Sequence, residues 1–297
     1  MAEAFRHLST TPISGACLCG EVGYEAPAGI TVSAWFCHCS HCRKAGGGAF
    51  ATWVGIAAET FRWTRGQPRA YYASPGFSRH FCSDCGGLLP AIDETQRRAL
   101  LPAGGLDGGP PVAPTHHTYV ADRADWDRII DDLPRFAESE ESAPLVAHGE
   151  HRDTCDTGPA RGSCLCGQVR WELAGKPQVM RCCHCTRCQR NSGTACFVGL
   201  PGNAEQLSIL SGGEHIASYH LPGTRYYHNR FCRHCGSPVP TVLPGIPVTV
   251  ASAGTLDNNP GLHIGYHLFA ASRAAWYRID SSLPAFDAYP PKDFVPN

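Results

Sequence analysis

The cysteines of this 297-residue chain restrict what it can fold into more than any other feature. Of its 17 cysteines, seven form one C-x-C pair, one C-x-C-x-x-C triplet and one C-x-x-C pair, and seven more repeat these groups in the same order. Because no secretory signal precedes them, we expect a reducing, cytoplasmic compartment. In such a compartment, clustered thiols bind metal more often than they form disulfides.

Motifs around the cysteines indicate that the chain is two copies of one unit. The copies share, in order, G-x-C-x-C-G-x-V at 15–22 and 162–169, C-H-C-x-x-C at 37–42 and 183–188, F-C-x-x-C-G at 81–86 and 231–236, G-x-L-D at 104–107 and 254–257, His117 and His267, Trp126 and Trp276, and L-P-x-F at 133–136 and 283–286. We predict a first domain over 12–137, an acidic linker over 138–160 and a second domain over 161–290.

Short apolar runs separated by glycine and proline predict a mostly β fold. The 32 glycines and 24 prolines are spread between these runs, which favours turns and short strands over long helices. Strands are expected where β-branched and aromatic residues concentrate, at 22–25, 50–54, 118–120, 169–172 and 248–251. Single helical turns are expected at 126–130 and 276–279, and the cysteines are expected on loops between strands.

The first and last cysteine pairs of each copy are predicted to share one closed zinc site. Four thiolates arranged tetrahedrally satisfy zinc and leave no exchangeable position. Such an ion would link the start of the unit to its middle and would stabilise a small β-rich unit directly. The predicted ligands are Cys17, Cys19, Cys82 and Cys85 in the first copy, and Cys164, Cys166, Cys232 and Cys235 in the second.

The central triplet of each copy has the spacing of an open zinc site. Three sulfurs can occupy three corners of one tetrahedron and leave the fourth for water or substrate, as in catalytic zinc sites. The alternative is that His117 or His267 occupies that corner, since His38 and His184 lie between two ligands and are poorly placed. The expected cofactor is Zn²⁺, two ions per domain and four per chain. The predicted catalytic ligands are Cys37, Cys39, Cys42, Cys183, Cys185 and Cys188.

The charge of the triplet indicates which chemistry it would support. Three thiolates leave a zinc site with a net negative charge, so bound water is acidified less than at a three-histidine site and a hydrolase is disfavoured. A coordinated thiol is deprotonated instead, which favours a thiol substrate. Arg43, Lys44, Arg187 and Arg190 are candidates to offset the charge or bind a carboxylate, and equally candidates for ordinary surface residues.

Composition argues against nucleic-acid and membrane partners. The formal net charge is −1, and no basic tail is present to attract a phosphate backbone. No apolar run approaches the length of about 18 residues that a membrane-spanning helix needs.

As a set, these motifs resemble the glutathione-dependent formaldehyde-activating family, which includes centromere protein V. The resemblance covers nearly all of both copies and implies two tandem β-tent domains of twisted antiparallel sheets. It implies a structural zinc on the outer cysteine pairs, a catalytic zinc on the triplet, and carbon–sulfur lyase chemistry that joins glutathione or a similar thiol to formaldehyde. Arg79 fits the family's R-x-F-C motif, whereas the second copy has Asn229 there.

Two other classes of function are compatible with the same residues. A non-catalytic zinc module that binds or carries a thiol or a protein partner predicts thiol binding without turnover, or central sites closed by histidine. A redox switch predicts reversible disulfides and is the least favoured. Tandem duplicates often reproduce an ancestral dimer, but no residue identifies the contact, and the sequence leaves the oligomeric state open.

Three cysteines lie outside the repeated groups. Cys155 lies alone in the predicted linker and is interpreted as an idle thiol. Cys182 has no cysteine counterpart, because the first copy has Phe36 at that position. Cys196 matches Phe50 and is interpreted as a small core residue.

Overall fold

A computed structural model of the chain describes residues 5–142, 144–145, 158–175 and 179–296. Much of the predicted linker, including Cys155, lies outside these residues. In the described part, numerous short strands and two seven-residue helices confirm the mostly β class predicted from the sequence.

The first half builds two sheets around one short helix. Its elements are β1 (His7–Ser9), β2 (Ile13–Ala16), β3 (Gly23–Ala26), β4 (Ile30–Cys37), α1 (Ser40–Gly46), β5 (Ala51–Ala57), β6 (Arg62–Arg65), β7 (Arg69–Ser74), β8 (Phe77–Phe81), β9 (Leu88–Asp93), β10 (Arg98–Pro102) and β11 (His117–Thr118). The large sheet has the order β1-β4-β5-β10-β9-β8-β7, with β11 pairing in parallel to β4, and β2, β3 and β6 form the small sheet.

The second half repeats this plan with a shorter main sheet. Its elements are β12 (Ala160–Ser163), β13 (Arg170–Leu173), β14 (Met180–Cys183), α2 (Thr186–Ser192), β15 (Phe197–Asn203), β16 (Leu207–Ser211), β17 (Ile216–His220), β18 (His228–Cys232), β19 (Thr241–Val242), β20 (Val248–Ser252), β21 (Ile264–Leu268) and β22 (Ala285–Phe286). The main sheet has the order β19-β20-β15-β14-β21-β22. The remaining strands form a β12-β13-β16 sheet and a β17-β18 hairpin.

The burial of each strand follows its place in the sheet. The central strand β5 is covered on both faces and is buried at all but its last residue, so it lacks a polar face. The edge strand β7 has no buried residue, and apart from two alanines its side chains are polar or aromatic. Trp53 on β5 and Trp171 on β13 are among the largest fully buried side chains and fill the interior of the first and second halves.

Some sequence expectations about local structure were wrong. The strand predicted at 118–120 ends at Thr118, because Tyr119 adopts a left-handed φ of 55° and starts a 3-10 turn. The helical turns predicted at 126–130 and 276–279 are not helical. A segment that short gains too few hydrogen bonds to offset helix nucleation, so packing of the Trp126 side chain into the core decides its path.

The cysteines were expected on loops, but one in each triplet lies in a helix. Cys42 lies in α1 and Cys188 in α2. Each helix begins where the preceding cysteine sulfur, Cys39 or Cys185, accepts the backbone N–H three residues on. The sulfur spacing that favours a metal site therefore also satisfies a free N–H group of a helix start.

The two halves pack against each other through reciprocal contacts. Phe81 and Phe231 occupy equivalent positions and contact each other edge to face, with ring centres 6.3 Å apart. A single hydrophobic cluster contains residues of both halves, among them Phe36 and Phe50 of the first and Trp171 of the second. The halves therefore share a core.

The two G-x-L-D motifs form part of this interface. The Gly104 N–H donates to the Gly193 carbonyl at 3.0 Å, and the Gly254 N–H donates to the Gly47 carbonyl at 3.2 Å. A Cβ atom at Gly254 would lie 2.5 Å from the Arg43 carbonyl oxygen, and one at Gly104 would be equally close to a backbone carbonyl of the second half. Glycine is required at both positions because each backbone approaches the helix end of the other half.

Charged side chains at the interface follow the same reciprocity. Arg190 binds the Asp107 carboxylate of the first half at 2.7 Å, and Lys44 binds the Asp257 carboxylate of the second half. These two basic residues were candidates to bind a carboxylate, and the carboxylates they bind belong to the chain itself. No helix in the described residues is long and apolar enough to cross a membrane.

Candidate functional site

The four outer cysteines of each half come together as the sequence predicted. In the first half their sulfurs all lie within 4.8 Å of one another, with Cys17 and Cys19 at 3.4 Å and Cys19 and Cys82 at 3.7 Å. Sulfurs placed 2.3 Å from a tetrahedral zinc are about 3.8 Å apart, so this arrangement fits such an ion. The Val22 N–H donates to the Cys17 sulfur at 3.3 Å and holds it in place.

The second half repeats this cluster almost atom for atom. Cys164 and Cys166 are 3.4 Å apart, Cys166 and Cys232 are 3.7 Å apart, and Cys235 completes the group. The Val169 N–H donates to Cys164 at 3.3 Å, as Val22 does in the first half. Both clusters can hold a metal ion, and a zinc ion at each stays a prediction.

The glycine after each late cysteine pair serves both the turn and the interface. Gly86 and Gly236 have φ angles of 72° and 76°, which residues with a Cβ rarely adopt. A Cβ at Gly86 would lie about 2.4 Å from the Phe231 ring, and one at Gly236 would lie 2.5 Å from the Phe81 ring. The C-x-x-C-G motif therefore places the cysteines and also allows the halves to meet.

The central triplets are also assembled, at the junction of a strand and a helix. Cys37 ends β4, Cys39 caps the start of α1 and Cys42 lies in its first turn, and the three sulfurs are within 4.8 Å of one another. The equivalent second-half triplet, likewise within 4.8 Å, is formed by the sulfurs of Cys183, Cys185 and Cys188. The contacts of Cys42 with the other two sulfurs, and then with Arg79, lower its pKa well below the ordinary value.

No fourth ligand joins either triplet among the described residues. Among the described residues, no histidine nitrogen, carboxylate oxygen or further sulfur lies within 4.8 Å of all three sulfurs of either triplet. His117, the candidate to close the first triplet, has its Nδ1 2.9 Å from His38 Nε2, and His267 contacts His184 in the same way. The histidines therefore contact each other instead of completing the triplets.

The first triplet borders a cavity of about 910 Å³. Aromatic and apolar side chains form part of its wall, and charged side chains lie among them. The wall includes Trp35, Trp53, Phe77, Arg79, Arg98 and Leu100. The Trp53 Nε1–H donates to the Cys42 sulfur at 3.4 Å, so an indole both walls the cavity and supports the triplet.

A buried arginine supplies positive charge to this cavity. Arg79 on β8 is 5% exposed, and its Nη2 donates to the Cys42 sulfur at 3.5 Å. Burial acts to lower the pKa of Arg79, but the neighbouring sulfurs of Cys42 and Cys39 outweigh it and raise the pKa. Its Nε and Nη1 make no hydrogen bond to the described residues. A cation with free donors therefore lies between the sulfurs and the cavity.

The second triplet has different neighbours. Asn229 occupies the position of Arg79, and its side chain donates to the Cys85 carbonyl of the first half at 2.8 Å. The strand register places Gly199 where the first half has Trp53. Tyr227, whose hydroxyl donates to the Arg187 carbonyl at 3.3 Å, is close enough for the Cys188 sulfur to help raise its pKa, although burial is the main cause.

The sequence identified the sulfurs but not the residues around them. None of the sequence motifs contains Trp53, and Arg79 enters them only through the R-x-F-C motif. Arg79 lies 37 residues from Cys42, and Trp53 lies 11 residues from it, so neither belongs to the local cysteine pattern. The difference between Arg79 and Asn229 is visible in the aligned copies and is one sequence signal that points to unequal sites.

Comparison with known proteins assigns the chain to a family. The family described as glutathione-dependent formaldehyde-activating enzyme matches two segments, 12–122 and 159–272. The chain belongs to this family and carries two tandem copies of its domain. No curated protein matches the chain. The chain is 23% identical to a Rhodobacter sphaeroides protein of known crystal structure; the match covers 33% of this chain and 87% of that protein, with a TM-score of 0.28.

Proposed function

We propose that this protein is a zinc-dependent enzyme of the carbon–sulfur lyase type that acts on a thiol or on a thiol–aldehyde adduct. The observation that supports this most is the central triplet of the first half. Its three sulfurs meet with no fourth ligand from the described residues, and they border a cavity large enough for a small peptide thiol. The family assignment makes glutathione and formaldehyde the first substrates to test.

We further propose how the sulfurs divide between two kinds of ion. The outer clusters would each hold a structural zinc, and the triplets would each hold a zinc with an exchangeable position, giving two ions in each of the domains 12–137 and 161–290. The donor sets fit, because four sulfurs can close a tetrahedron and three cannot. When bound at the triplet, zinc would lower the pKa of a thiol that coordinates it.

The residues around the first triplet suit a charged thiol. Arg79 lines the cavity, and its Nε and Nη1 have no hydrogen-bond partner among the described residues, so its positive charge can attract a carboxylate of the substrate. Trp35 and Trp53 reduce the water around the reacting groups. When both reactants are held in one cavity, their translational entropy is already lost on binding. The entropy cost of bringing them together is therefore absent from the chemical step.

The reaction balances without any redox partner. In the synthetic direction the thiol sulfur bonds to the aldehyde carbon, the carbonyl π electrons move to oxygen, and the thiol proton ends on that oxygen. In the lyase direction the same carbon–sulfur bond breaks, and the aldehyde and the thiol are released. The chain contributes position, charge and exclusion of water to both directions.

Metal content and turnover measured together test the proposal. Cys39→Ser and Cys185→Ser each remove one triplet sulfur, and Cys155→Ser is the matched control outside the repeated groups. We expect each triplet variant to lose one zinc per chain, and Cys39→Ser to lose most turnover of glutathione with formaldehyde, followed by NMR. A Cys39→Ser protein that loses a zinc and keeps full turnover would contradict an enzymatic role for that site. Thiol binding without turnover in the unmodified protein would support a carrier instead.

A further inference from the structure

Strand geometry places a second set of metal-binding residue types behind the triplet of the second half. Side chains alternate along a strand, so Cys182 and His184 point to the face opposite Cys183 and Cys185. His267 on β21 is the register partner of Cys182 on β14, and parallel register partners share a face. Cys182 and His267 are therefore neighbours on the inner face of the main sheet.

Cys196 is the fourth member of this group. The antiparallel register pairs Cys183 with Phe197, so Cys196, one residue earlier, lies opposite His184 on the same inner face. Cys196 and Cys182 belong to the same buried core cluster. These four side chains are almost fully buried, with exposures of 1% for Cys182, 0% for His184, 2% for Cys196 and 3% for His267.

The first half has no thiols at the four equivalent positions. There the four equivalent residues are Phe36, His38, Phe50 and His117. The two histidines hydrogen-bond each other at 2.9 Å, and the two phenyl rings pack on them, with Phe36 4.9 Å from His117 between ring centres. Two aromatic rings in one copy thus correspond to two thiols in the other, both beside a retained histidine pair.

The polar side chains next to the histidine pair also differ between the two halves. In the first half Asp127 lies 3.5 Å from His38, and Asp131 accepts from His117 at 2.9 Å. In the second half Tyr277 stands at the position of Asp127, and His267 Nε2 has no hydrogen-bond partner among the described residues. The second-half pair therefore has two thiols where the first-half pair has two phenyl rings, and a tyrosine where the first-half pair has the Asp127 carboxylate.

We propose that Cys182, His184, Cys196 and His267 bind one divalent cation of the zinc class, at a site separate from the outer clusters and the triplets. Two thiolates and two imidazoles are a standard tetrahedral set for a structural zinc. The ligand atoms of Cys182, His184 and His267 already lie within 4.8 Å of one another, and the two histidine nitrogens are 2.9 Å apart. Tetrahedral ligands of zinc are roughly 3.5 Å apart, so these three ligands need little movement, and the Cys196 sulfur would have to approach them to complete the set.

The electrostatics of the position favour this assignment. Two buried thiolates would be costly without a counter-charge, and a divalent cation neutralises both. The first half cannot form this site because Phe36 and Phe50 have no donor atoms.

The same four residues could also exist without a metal, in either of two states. Cys182 and Cys196 could form a disulfide under oxidising conditions, which would leave no sulfur ligand for the metal. They could instead be small residues that make room for the larger Tyr277, which packs near Phe50 with ring centres 5.6 Å apart. In that case the two thiols would be reduced, and no ion would be bound.

Cadmium-113 NMR of the full chain separates these possibilities, because the shift reports how many sulfurs surround the ion. We expect signals from four-sulfur and three-sulfur sites and one additional signal from a site of two sulfurs and two nitrogens. The proposal predicts this additional signal for the unmodified protein, so the test does not depend on how well any variant folds. Its absence would overturn the proposal, as would a Cys182–Cys196 disulfide in protein purified under reducing conditions.

Two variants assign the signal. The double variant Cys182→Ser/Cys196→Ser should lose the additional signal and one equivalent of metal per chain, and it should retain the four-sulfur and three-sulfur signals. Cys155→Ser, which removes a thiol outside the proposed site, should change neither the additional signal nor the metal content. Persistence of the additional signal in the double variant would exclude these cysteines as ligands. Because the readout is metal count and not turnover, it is independent of the proposed enzymatic function.

Discussion

The two halves keep the same sulfurs but surround the central triplet with different side chains. In the first half the triplet borders a large cavity and contacts Arg79 and Trp53. In the second half Asn229 and Gly199 stand at those positions. The predicted metal ligands are present in both copies, while the residues that would contact a substrate differ.

The difference follows from where the second-half residue points. Asn229 donates to the Cys85 carbonyl, which belongs to the four-cysteine cluster of the first half. Arg79 thus contacts a sulfur of its own half, whereas Asn229, at the equivalent position, supports the other half.

The largest effect is expected from removing a ligand of a four-cysteine cluster. Structural zinc sites contribute about 10–16 kcal/mol, which is comparable to the whole stability of a domain at about 5–15 kcal/mol. Tyr71 packs against the second-half cluster and Tyr219 against the first-half cluster, so each cluster supports both halves. Cys82→Ser and Cys232→Ser should each unfold the whole chain in one transition by circular dichroism. Two separate transitions would show that the halves are independent.

A methyl group at the reciprocal glycines should be the next most damaging change. Gly104→Ala and Gly254→Ala each place a Cβ about 2.5 Å from a backbone oxygen of the other half, which cannot move aside easily. We expect each to lower the free energy of unfolding by about 3 kcal/mol in urea titrations. Gly213→Ala is the control, since its Cβ would meet nothing closer than 3.9 Å. Equal effects at all three positions would contradict tight reciprocal packing.

Activity should depend on the first half through Arg79. A hydrogen bond to a charged group contributes about 1.5–3 kcal/mol, so Arg79→Gln should lower kcat/KM for an anionic thiol by about 10- to 100-fold. Asn229→Ala should leave kcat/KM unchanged and lower the stability by about 1 kcal/mol, because it loses the bond to Cys85. If instead Asn229→Ala lost the activity and Arg79→Gln kept it, the assignment of the halves would be reversed.

A buried hydroxyl pair tests the interface with a double-mutant cycle. The Thr52 and Thr194 hydroxyls are 2.8 Å apart and join the two halves in the core. Thr52→Val should cost about 1–2 kcal/mol in chemical denaturation, because it leaves the Thr194 hydroxyl without its partner. The double variant Thr52→Val/Thr194→Val should be no worse than the single one. Additive losses would show that the two hydroxyls do not interact.

The smallest effect is expected at the exposed ion pair across the halves. Arg190, and then Ser14, hold the pKa of Asp107 below its ordinary value. A carboxylate with a lowered pKa stabilises the fold above its unfolded pKa of about 3.9, and that contribution is lost as the pH falls through the folded value. The Asp107 side chain is 52% exposed, so Asp107→Asn should cost less than about 1 kcal/mol from pH 6 to 8, and less still in high salt. A cost that grows with salt would contradict an electrostatic origin.

The sequence by itself determined the duplication, the mostly β class and the grouping of the sulfurs. These were predictable because ligands such as Cys37, Cys39 and Cys42 lie close together in the chain, so their spacing limits the geometry. The predicted strands at 22–25 and 169–172 correspond to β3 and β13, since alternation and turn residues are also local signals.

Only the tertiary structure decided how the copies meet and which side chains surround each site. The pairs Lys44–Asp257 and Thr52–Thr194 join residues 213 and 142 positions apart, and no local pattern records such contacts. The clustering of Cys182 and Cys196 with two histidines likewise depends on three adjacent strands. Local spacing limits which atoms can share an ion, whereas long-range packing decides what else can approach that ion.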